Sequence, residues 1–335
     1  MPTMNVVLAA MLGSACLAAG EQAAPPPKAV YPGAEWERRK PEELKLDADV
    51  LREMDALMKN ERMNGVLICR GYLVAEWNYG GKAQDKFETQ SVTKSITSAV
   101  LGLALKDKLI PNLDAKVKKH YPAFDAGPYT AEITFRHLVT ATSGIRVTTT
   151  TERYFDPGDS KPGLECRYHN DHTRYLGLAL SHLYGKSITQ VVQERFLKPL
   201  QAQDGIEWDG TGYGFSHWSA RDLARMGYLY LHDGRWKDEQ ILTVDFARES
   251  RKADPTPFKE WRRDPPPDRD LSKYKYGLAW CGAHSDKGTI WHMCGNLGQF
   301  CAVMPERSLV MVKLGNGSTH PCEGPWERLL WKLSR

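Results

Sequence analysis

One short stretch around residue 90 limits what this chain can be more than any other. Residues 91–106 place apolar side chains at helical spacing, which predicts one helix with a buried face. The polar residues before it predict a loop, so Ser91 would lie at the mouth of the helix, where free N–H groups and the helix dipole favour an oxyanion. Lys94 follows one turn later, so its amine can reach the Ser91 hydroxyl. Because a desolvated lysine can accept the proton of a serine hydroxyl, this S-x-x-K pattern indicates a nucleophile and its base.

A second copy of the pattern makes the four letters weak evidence by themselves. It lies at residues 272–275, beside proline-rich sequence and before a strand-like run, so no helix mouth is expected there. The alternative for the first copy is an ordinary N-cap serine, with Lys94 as a surface lysine one turn later. The other motifs of the chain decide between these two interpretations.

Length and charge limit the class of partner. A chain of 335 residues is long enough for one large domain or two interleaved ones. Lys and Arg number 45 against 41 Asp and Glu, and the charges are scattered, which argues against a nucleic-acid partner. No C-x-x-C or H-x-x-x-H pair suggests a metal site, and no cofactor is implied.

The N-terminus has the pattern of a secretory signal. An apolar run at residues 6–19 is too short for a comfortable membrane span and predicts a signal peptide over residues 1–20, although no Lys or Arg precedes it. We therefore expect an exported protein, periplasmic or secreted, with no integral membrane span. Gly13 stands where a bulky aliphatic residue is normally needed for lipid attachment at Cys16, which argues against a lipoprotein. Residues 21–35 are proline-rich and predict a linker.

The cysteines leave two interpretations open. Removal of the signal peptide leaves an even number, which permits disulfides in an exported protein. Wide spacing and apolar neighbours fit buried thiols equally well. The six residues concerned are Cys69, Cys166, Cys281, Cys294, Cys301 and Cys322.

The order of the elements predicts a mixed α/β fold. Residues 36–110 begin with an amphipathic helix and a hairpin about Arg70-Gly71, and residues 111–235 are mostly helical. Residues 236–335 contain a proline-rich loop at 252–273, a series of strand-like runs and a final helix. The runs, which predict an antiparallel meander, are YGLAWCG, GTIWHMC, QFCAVMP and SLVMVKL. We therefore expect an α/β sheet domain built from both ends of the chain, with a helical domain inserted at 111–235.

Two further motifs can supply chemistry. Tyr168-His169-Asn170 lies between a long irregular loop and a helix. A tyrosine can relay a proton when a nearby cation favours its phenolate, and an asparagine offers both a donor and an acceptor to a substrate amide or ester. Taken alone, Tyr168 would be a half-buried core residue. The run at 291–300 is a strand ending in glycines, so its backbone can come close to a ligand.

These motifs, in this order, resemble those of the class C β-lactamase-like serine hydrolases. That family includes class C β-lactamases, D-amino-acid peptidases, family VIII esterases and hydrolases of nylon oligomers. The resemblance runs from about Leu46 to Leu314, and ITFRHLVTATSGI is similar to a further family stretch, with Ala141 in place of a histidine. It implies the β-lactamase/transpeptidase-like fold, with an antiparallel sheet flanked by helices and a mostly helical insert.

The resemblance also implies roles for the site residues. Ser91 would be the acylated nucleophile, Lys94 and Tyr168 would share the proton shuttling, and Asn170 would orient the substrate. HMCGNLGQF is similar to the class C stretch H-K-T-G-A-T-G-G-F, in which Gly295 matches. The oxyanion hole would then be the backbone N–H groups of Ser91 and Asn296.

One departure from the family pattern affects the expected substrate. Met293 stands where the family has a lysine that helps to hold a substrate carboxylate. Because methionine has no charge and no donor, we expect small neutral esters or amides rather than the substrates of a β-lactamase or D-Ala carboxypeptidase. A further alternative is a non-catalytic sensor that is acylated and stops, but the intact Tyr168 and Asn170 argue against it.

Overall fold

The computed structural model describes residues 29–149, 156, 158–260, 271, 274–317 and 325–333. The α-helices are α1 (Ala48–Asn60), α2 (Val92–Lys106), α3 (Val117–His120), α4 (Phe135–Val139), α5 (Asn170–Tyr184), α6 (Ile188–Val192), α7 (Ala220–Leu231), α8 (Val244–Ser250) and α9 (Pro325–Lys332). The strands are β1 (Asn64–Cys69), β2 (Tyr72–Asn78), β3 (Phe87–Glu88), β4 (His217–Trp218), β5 (Arg235–Trp236), β6 (Glu239–Gln240), β7 (Tyr274–Tyr276), β8 (Cys281–Ser285), β9 (Gly288–Gly295), β10 (Gln299–Met304) and β11 (Leu309–Leu314).

The main sheet is assembled from both ends of the chain. Its seven strands follow the order β2-β1-β11-β10-β9-β8-β7. The N-terminal hairpin joins the C-terminal meander through antiparallel pairing of β1 with β11, in which Asn64 lies opposite Leu314 and Cys69 opposite Leu309. The predicted hairpin, the meander and the antiparallel sheet flanked by helices are confirmed.

Apolar side chains are buried on both faces of this sheet, and each face is covered by helices. On one face α1 and α9 pack through fully buried residues such as Met54, Met58 and Trp326. On the other face α7 packs directly against β1, β10 and β11, although its sequence lies within the predicted helical insert. Two apolar layers therefore separate the sheet from solvent.

Helix α2 occupies the centre of the molecule. It contacts β9 and β10 of the sheet on one side and α5 and α6 on the other. Every residue from Val92 to Ala104 is consequently buried, polar ones included. A helix held from both sides in this way fixes the position of the residue at its N-terminus, which is Ser91.

The chain before α1 is held by α7. The Tyr228 hydroxyl donates to the Val30 carbonyl at 2.5 Å, and the Tyr31 ring packs edge-on against Tyr228 with centroids 5.7 Å apart. Residues 29–35 of the predicted linker therefore pack against the domain instead of extending away from it. The predicted signal peptide lies outside the described residues. Within the described part of the chain, no helix is both long and apolar enough to cross a membrane.

The prediction of one strand over YGLAWCG is wrong. Strand β7 ends at Tyr276, and β8 begins at Cys281. Between them the chain turns through Ala279, whose φ of 58° is left-handed and whose N–H donates to the Val139 carbonyl at 3.0 Å. The apolar side chains of Leu278 and Trp280 are buried at this turn. Because residues that are buried at a turn are apolar, as residues in a buried strand are, this run resembled a strand in the sequence.

Some of the cysteines form a disulfide and others are buried free thiols, so each of the two interpretations holds for part of the set. Cys281 and Cys294 form a disulfide between the neighbouring strands β8 and β9. Cys69, Cys166 and Cys301 are buried thiols. Cys322 lies outside the described residues. The disulfide ties together two strands at the end of the sheet that approaches Ser91.

Candidate active site

Ser91 lies at the N-terminus of α2, and its hydroxyl is not used as a helix cap. The residue has φ −72° and ψ −5°, and its side chain makes no capping hydrogen bond to the backbone N–H groups of the first turn. Gln90 just before it adopts the left-handed conformation with φ 53°, which is uncommon for a residue other than glycine. The ordinary N-cap interpretation of Ser91 therefore fails, and the hydroxyl is available for chemistry.

Lys94 is a buried residue rather than a surface lysine. It is 2% exposed, and its Nζ lies 2.9 Å from the Ser91 Oγ. The same nitrogen lies 2.8 Å from Asn170 Oδ1 and 2.9 Å from the carbonyl oxygen of Tyr213. The structure thus brings Ser91, Lys94 and Asn170 together as the sequence predicted.

The acceptors around Lys94 suit a base. A carbonyl oxygen and an amide oxygen can only accept hydrogen bonds, so Tyr213 and Asn170 Oδ1 each require an N–H from the amine. A neutral lysine has two N–H groups and one lone pair. The Ser91 Oγ lies 2.9 Å from this nitrogen, within reach of that lone pair when the amine is neutral. This arrangement lets Lys94 accept the serine proton.

Tyr168 stands beside this amine. The Lys94 Nζ lies 5.1 Å from the centre of the half-buried Tyr168 ring. An ammonium group at this distance is attracted to the face of an aromatic ring. The backbone of the preceding residue fixes the tyrosine, because Arg167 donates its N–H to the Ala141 carbonyl at 3.0 Å and accepts from His172 Nε2 at 2.8 Å.

The end of β9 lies against the segment that carries the nucleophile. A Cβ atom at Gly295 would come within 2.3 Å of the Thr89 carbonyl oxygen and 3.1 Å of the Gln90 Cβ, so the contact requires glycine. Asn296 follows at once and is exposed in the turn between β9 and β10. The residue before Asn296 therefore lies against the two residues that precede Ser91.

Met293 is the predicted site residue that the structure does not bring to the site surface. Its side chain is fully buried and belongs to the same apolar cluster as Val92 and Ile96. The absence of a lysine at this position remains the relevant feature of Met293.

The contribution of Tyr213 was not found in the sequence. It lies in a loop at 211–216 that passes close to α5, where a Cβ at Gly212 would come within 2.0 Å of the Thr173 carbonyl oxygen. The Gly212 carbonyl in turn accepts from Thr97 of α2 at 2.8 Å. Because Tyr213 acts through its backbone, its side-chain identity gave no signal; only the neighbouring glycines mark a close approach.

A buried carboxylate anchors the loop before the site. Asp171 accepts hydrogen bonds from the backbone N–H groups and hydroxyls of Thr148 and Thr149 and from Arg174. Burial alone would raise the pKa of this carboxyl, but these hydrogen bonds and the nearby His169 ring outweigh burial and hold the pKa well below its ordinary value. Asp171 is therefore a structural anion beneath the Tyr168-Asn170 segment.

We expect Asp171→Asn to destabilise the fold in a pH-dependent way. The buried donors would lose a charged acceptor, which costs roughly 1–3 kcal/mol at neutral pH. Because the folded-state pKa of Asp171 is depressed, its contribution is complete above about pH 5 and decreases by about 1.4 kcal/mol per pH unit below about pH 4. Thermal melts from pH 3 to pH 8 measure this difference. The exposed Asp125 gives a matched control, Asp125→Asn, and a constant difference across pH would contradict the anionic role.

Two buried histidines, His169 and His172, lie on either side of Asp171 in the sequence. Nε2 of His172 donates to the Arg167 carbonyl, so its Nδ1 accepts from the buried Ser143 hydroxyl at 2.8 Å. Burial lowers the pKa of His172 well below its ordinary value and also lowers the pKa of His169. Both rings are therefore neutral supports. Among the described residues, no group of three or more His, Cys, Asp or Glu side chains could hold a metal ion.

Comparisons with known sequences agree with this geometry. A family model described as Beta-lactamase matches residues 52–332 of the chain. Among curated proteins, Protein flp of Staphylococcus aureus (strain MW2) is 30% identical over 209 residues, which cover 52% of this chain and 41% of that protein. The chain thus spans about two fifths of the length of this relative.

Solved structures of similar fold are distant in sequence. A candidate β-lactamase from Bacteroides dorei DSM 17855 aligns with a TM-score of 0.70 at 17% identity, over 86% of this chain and 99% of that chain. A candidate 6-aminohexanoate-dimer hydrolase from Bacillus anthracis has a TM-score of 0.63 at 18% identity, over 84% and 79%. EstCE1, a hydrolase with promiscuous acyltransferase activity, has a TM-score of 0.64 at 14% identity, over 84% and 97%. At these identities the likeness establishes the fold.

Proposed function

Because this chain belongs to the β-lactamase family of serine hydrolases, we propose that it cleaves small uncharged esters or amides through an acyl-enzyme on Ser91. The observation that carries the proposal is the 2.9 Å contact between the Ser91 Oγ and a buried lysine amine whose other neighbours include two acceptors. The fold likeness to EstCE1 and to a candidate 6-aminohexanoate-dimer hydrolase is compatible with ester or amide substrates.

Acylation starts with Lys94. Its lone pair takes the proton from the Ser91 hydroxyl while the Oγ forms a bond to the substrate carbonyl carbon. The carbonyl oxygen becomes an oxyanion, which the backbone N–H groups of Ser91 and Asn296 stabilise. The bond to the leaving group then breaks, and the proton passes from the Lys94 and Tyr168 pair to the departing oxygen or nitrogen.

Deacylation repeats the same steps with water. The Lys94 and Tyr168 pair removes a proton from a water molecule as that water attacks the acyl carbon. The Ser91 Oγ leaves and regains its proton, so the enzyme returns to its starting state. Asn170 Oδ1 faces Lys94, and an asparagine side chain can also donate through its amide N–H group to the carbonyl oxygen of a substrate.

The charges around the site favour neutral substrates. Among the described residues, Lys94 is the cationic side chain hydrogen-bonded to Ser91, and it is occupied by the reaction itself. The Arg167 guanidinium is paired with Glu165 and donates to the Glu260 carbonyl. Met293 is buried and apolar, so its side chain offers a substrate carboxylate no charged partner, a contact that usually contributes roughly 1.5–3 kcal/mol.

We therefore expect short-chain p-nitrophenyl esters to be hydrolysed with a kcat/KM at least ~10-fold higher than that for any penicillin or cephalosporin. The missing charge-assisted contact is the physical reason. Steady-state assays with esters, a chromogenic cephalosporin and aminohexanoate oligomers on one preparation measure the ranking.

The same panel separates the alternatives. Ser91→Ala run in parallel subtracts hydrolysis that does not depend on the site. A preference for the cephalosporin would contradict the neutral-substrate proposal and favour a β-lactamase or carboxypeptidase. A burst of one product per protein followed by no turnover would instead indicate an acylated sensor.

A further inference from the structure

Three threonines form a stripe along the start of the nucleophile helix. Thr89, Thr93 and Thr97 recur at intervals of four residues, so they share one face, with the first just before the helix and the other two within it. All three are fully buried. A buried hydroxyl is costly unless it is hydrogen-bonded, so a row of three requires a partner surface.

The partner is the loop that carries the Tyr213 carbonyl. At one end, the Thr89 N–H donates to the Ser216 carbonyl at 2.8 Å, and the Thr89 hydroxyl reaches the same oxygen at 3.0 Å. In the middle, the Thr93 and Ser216 hydroxyls lie 2.7 Å apart. At the other end, the Thr97 hydroxyl donates to the Gly212 carbonyl at 2.8 Å. The stripe therefore holds both ends of the segment 212–216, and Tyr213 lies between them.

The hydroxyl of Ser216 closes this network. The Thr89 hydroxyl gives its proton to the Ser216 carbonyl, so it accepts the proton of the Ser216 hydroxyl at 2.9 Å. The Ser216 oxygen then accepts from the Thr93 hydroxyl and from the Trp218 indole N–H at 3.2 Å. One hydroxyl can donate one hydrogen bond and accept two, so every position of Ser216 is used.

We propose that Thr93 and Ser216 are positioning residues that hold the Tyr213 carbonyl against the Lys94 amine and so set the proton affinity of the base. Thr93 is the residue directly before Lys94, and Ser216 lies three residues after Tyr213. The hydrogen bond between Thr93 and Ser216 thus fixes the Tyr213 carbonyl, which is the acceptor for Lys94 at the next helix position. This inference deepens the proposed function and rests on it.

The direction of the effect follows from the acceptor. A carbonyl that receives a hydrogen bond from an amine stabilises the ammonium form more than the neutral amine. If the loop moves away, Lys94 loses this stabilisation, and the pH at which it becomes neutral falls. A purely structural loss of packing would lower stability without moving that pH.

Thr93→Val tests the proposal because valine keeps the shape of threonine and removes its hydroxyl. We expect kcat for a p-nitrophenyl ester to fall ~10- to 100-fold with KM changed less than ~3-fold, as for a loss of transition-state stabilisation. The acid limb of the pH profile should move to lower pH. Thr93→Ser, which retains the hydroxyl, should restore both values to within ~3-fold of the wild-type protein.

Ser98→Ala is the matched control on the same helix. Ser98 is also fully buried, but its hydroxyl has no hydrogen-bond partner among the described residues. We expect this variant to keep the wild-type kcat and pH profile. A Thr93→Val variant that loses only melting temperature, with an unchanged pH profile, would overturn the proposal.

A second readout separates this inference from the proposed function. The rate at which a fluorophosphonate labels Ser91 reports activation of the nucleophile whatever the natural substrate is. Absence of labelling in the wild-type protein would contradict the proposed function. Wild-type labelling with equal rates and equal pH dependence in Thr93→Val would contradict the positioning role alone.

Discussion

Ser91→Ala should abolish turnover and labelling by a fluorophosphonate. The reaction needs a covalent bond to the Ser91 Oγ, and this oxygen lies 2.9 Å from the Lys94 amine. Loss of a serine nucleophile in such a unit lowers kcat by on the order of 10³-fold or more. Mass spectrometry of the labelled protein should find one adduct on the wild-type protein, at Ser91, and none on the variant.

The second S-x-x-K pattern supplies a control from the same chain. Ser272 has a lysine three residues later but belongs to a proline-rich stretch without a predicted helix mouth. Ser272→Ala should therefore keep labelling and turnover within ~3-fold of the wild-type values. Full activity in Ser91→Ala would overturn the whole assignment of the site.

Much of the fold was predictable because apolar spacing dominates it. The apolar spacing of residues 170–184 indicates a helix, and α5 has these bounds in the structure. Ser219 begins a capping-type sequence, and α7 starts at Ala220, where the Ser219 side chain accepts from the backbone N–H of Asp222. Periodicity and capping are local properties, so the sequence carries them directly.

Features that depend on contacts between distant segments were less accessible. The Cys281–Cys294 disulfide depends on the register of β8 against β9, which the sequence does not state. The Tyr213 carbonyl comes from a residue 119 positions beyond Lys94. Backbone atoms leave no mark on residue identity, so neither motif nor composition could assign this acceptor.

In the candidate site too, some features were predictable from the sequence and others depended on contacts between distant segments. The order of the motifs, through the family resemblance, predicted that Ser91, Lys94, Tyr168 and Asn170 lie in one site. The packing of Met293 could not be predicted in this way. A family motif shows which residue is replaced, but it does not show what surrounds the replacement. The threonine stripe was visible as a four-residue spacing, but its meaning depends on the segment 212–216 that lies against it.

Lys94→Ala and Tyr168→Phe should each lower kcat by on the order of 10²-fold or more, because free lysine and tyrosine both have pKa values near ~10 and act at neutral pH only as a perturbed pair. Lys94→Arg should be as inactive as Lys94→Ala. Arginine keeps the positive charge but cannot be deprotonated, so it cannot accept the Ser91 proton. Steady-state kinetics on the ester substrate compare all three variants.

The double variant Lys94→Ala/Tyr168→Phe tests whether the two residues work as one unit. The Lys94 amine lies 5.1 Å from the Tyr168 ring centre, so removal of either partner should disable the same proton transfer. The loss in the double variant should then be close to the larger single loss rather than the product of the two. Tyr175→Phe is the matched control, because this tyrosine lies on α5 with its ring packed edge-on against Phe124. Multiplicative losses would mean that Tyr168 acts independently of Lys94, and an unchanged kcat in Tyr168→Phe would make it a packing residue.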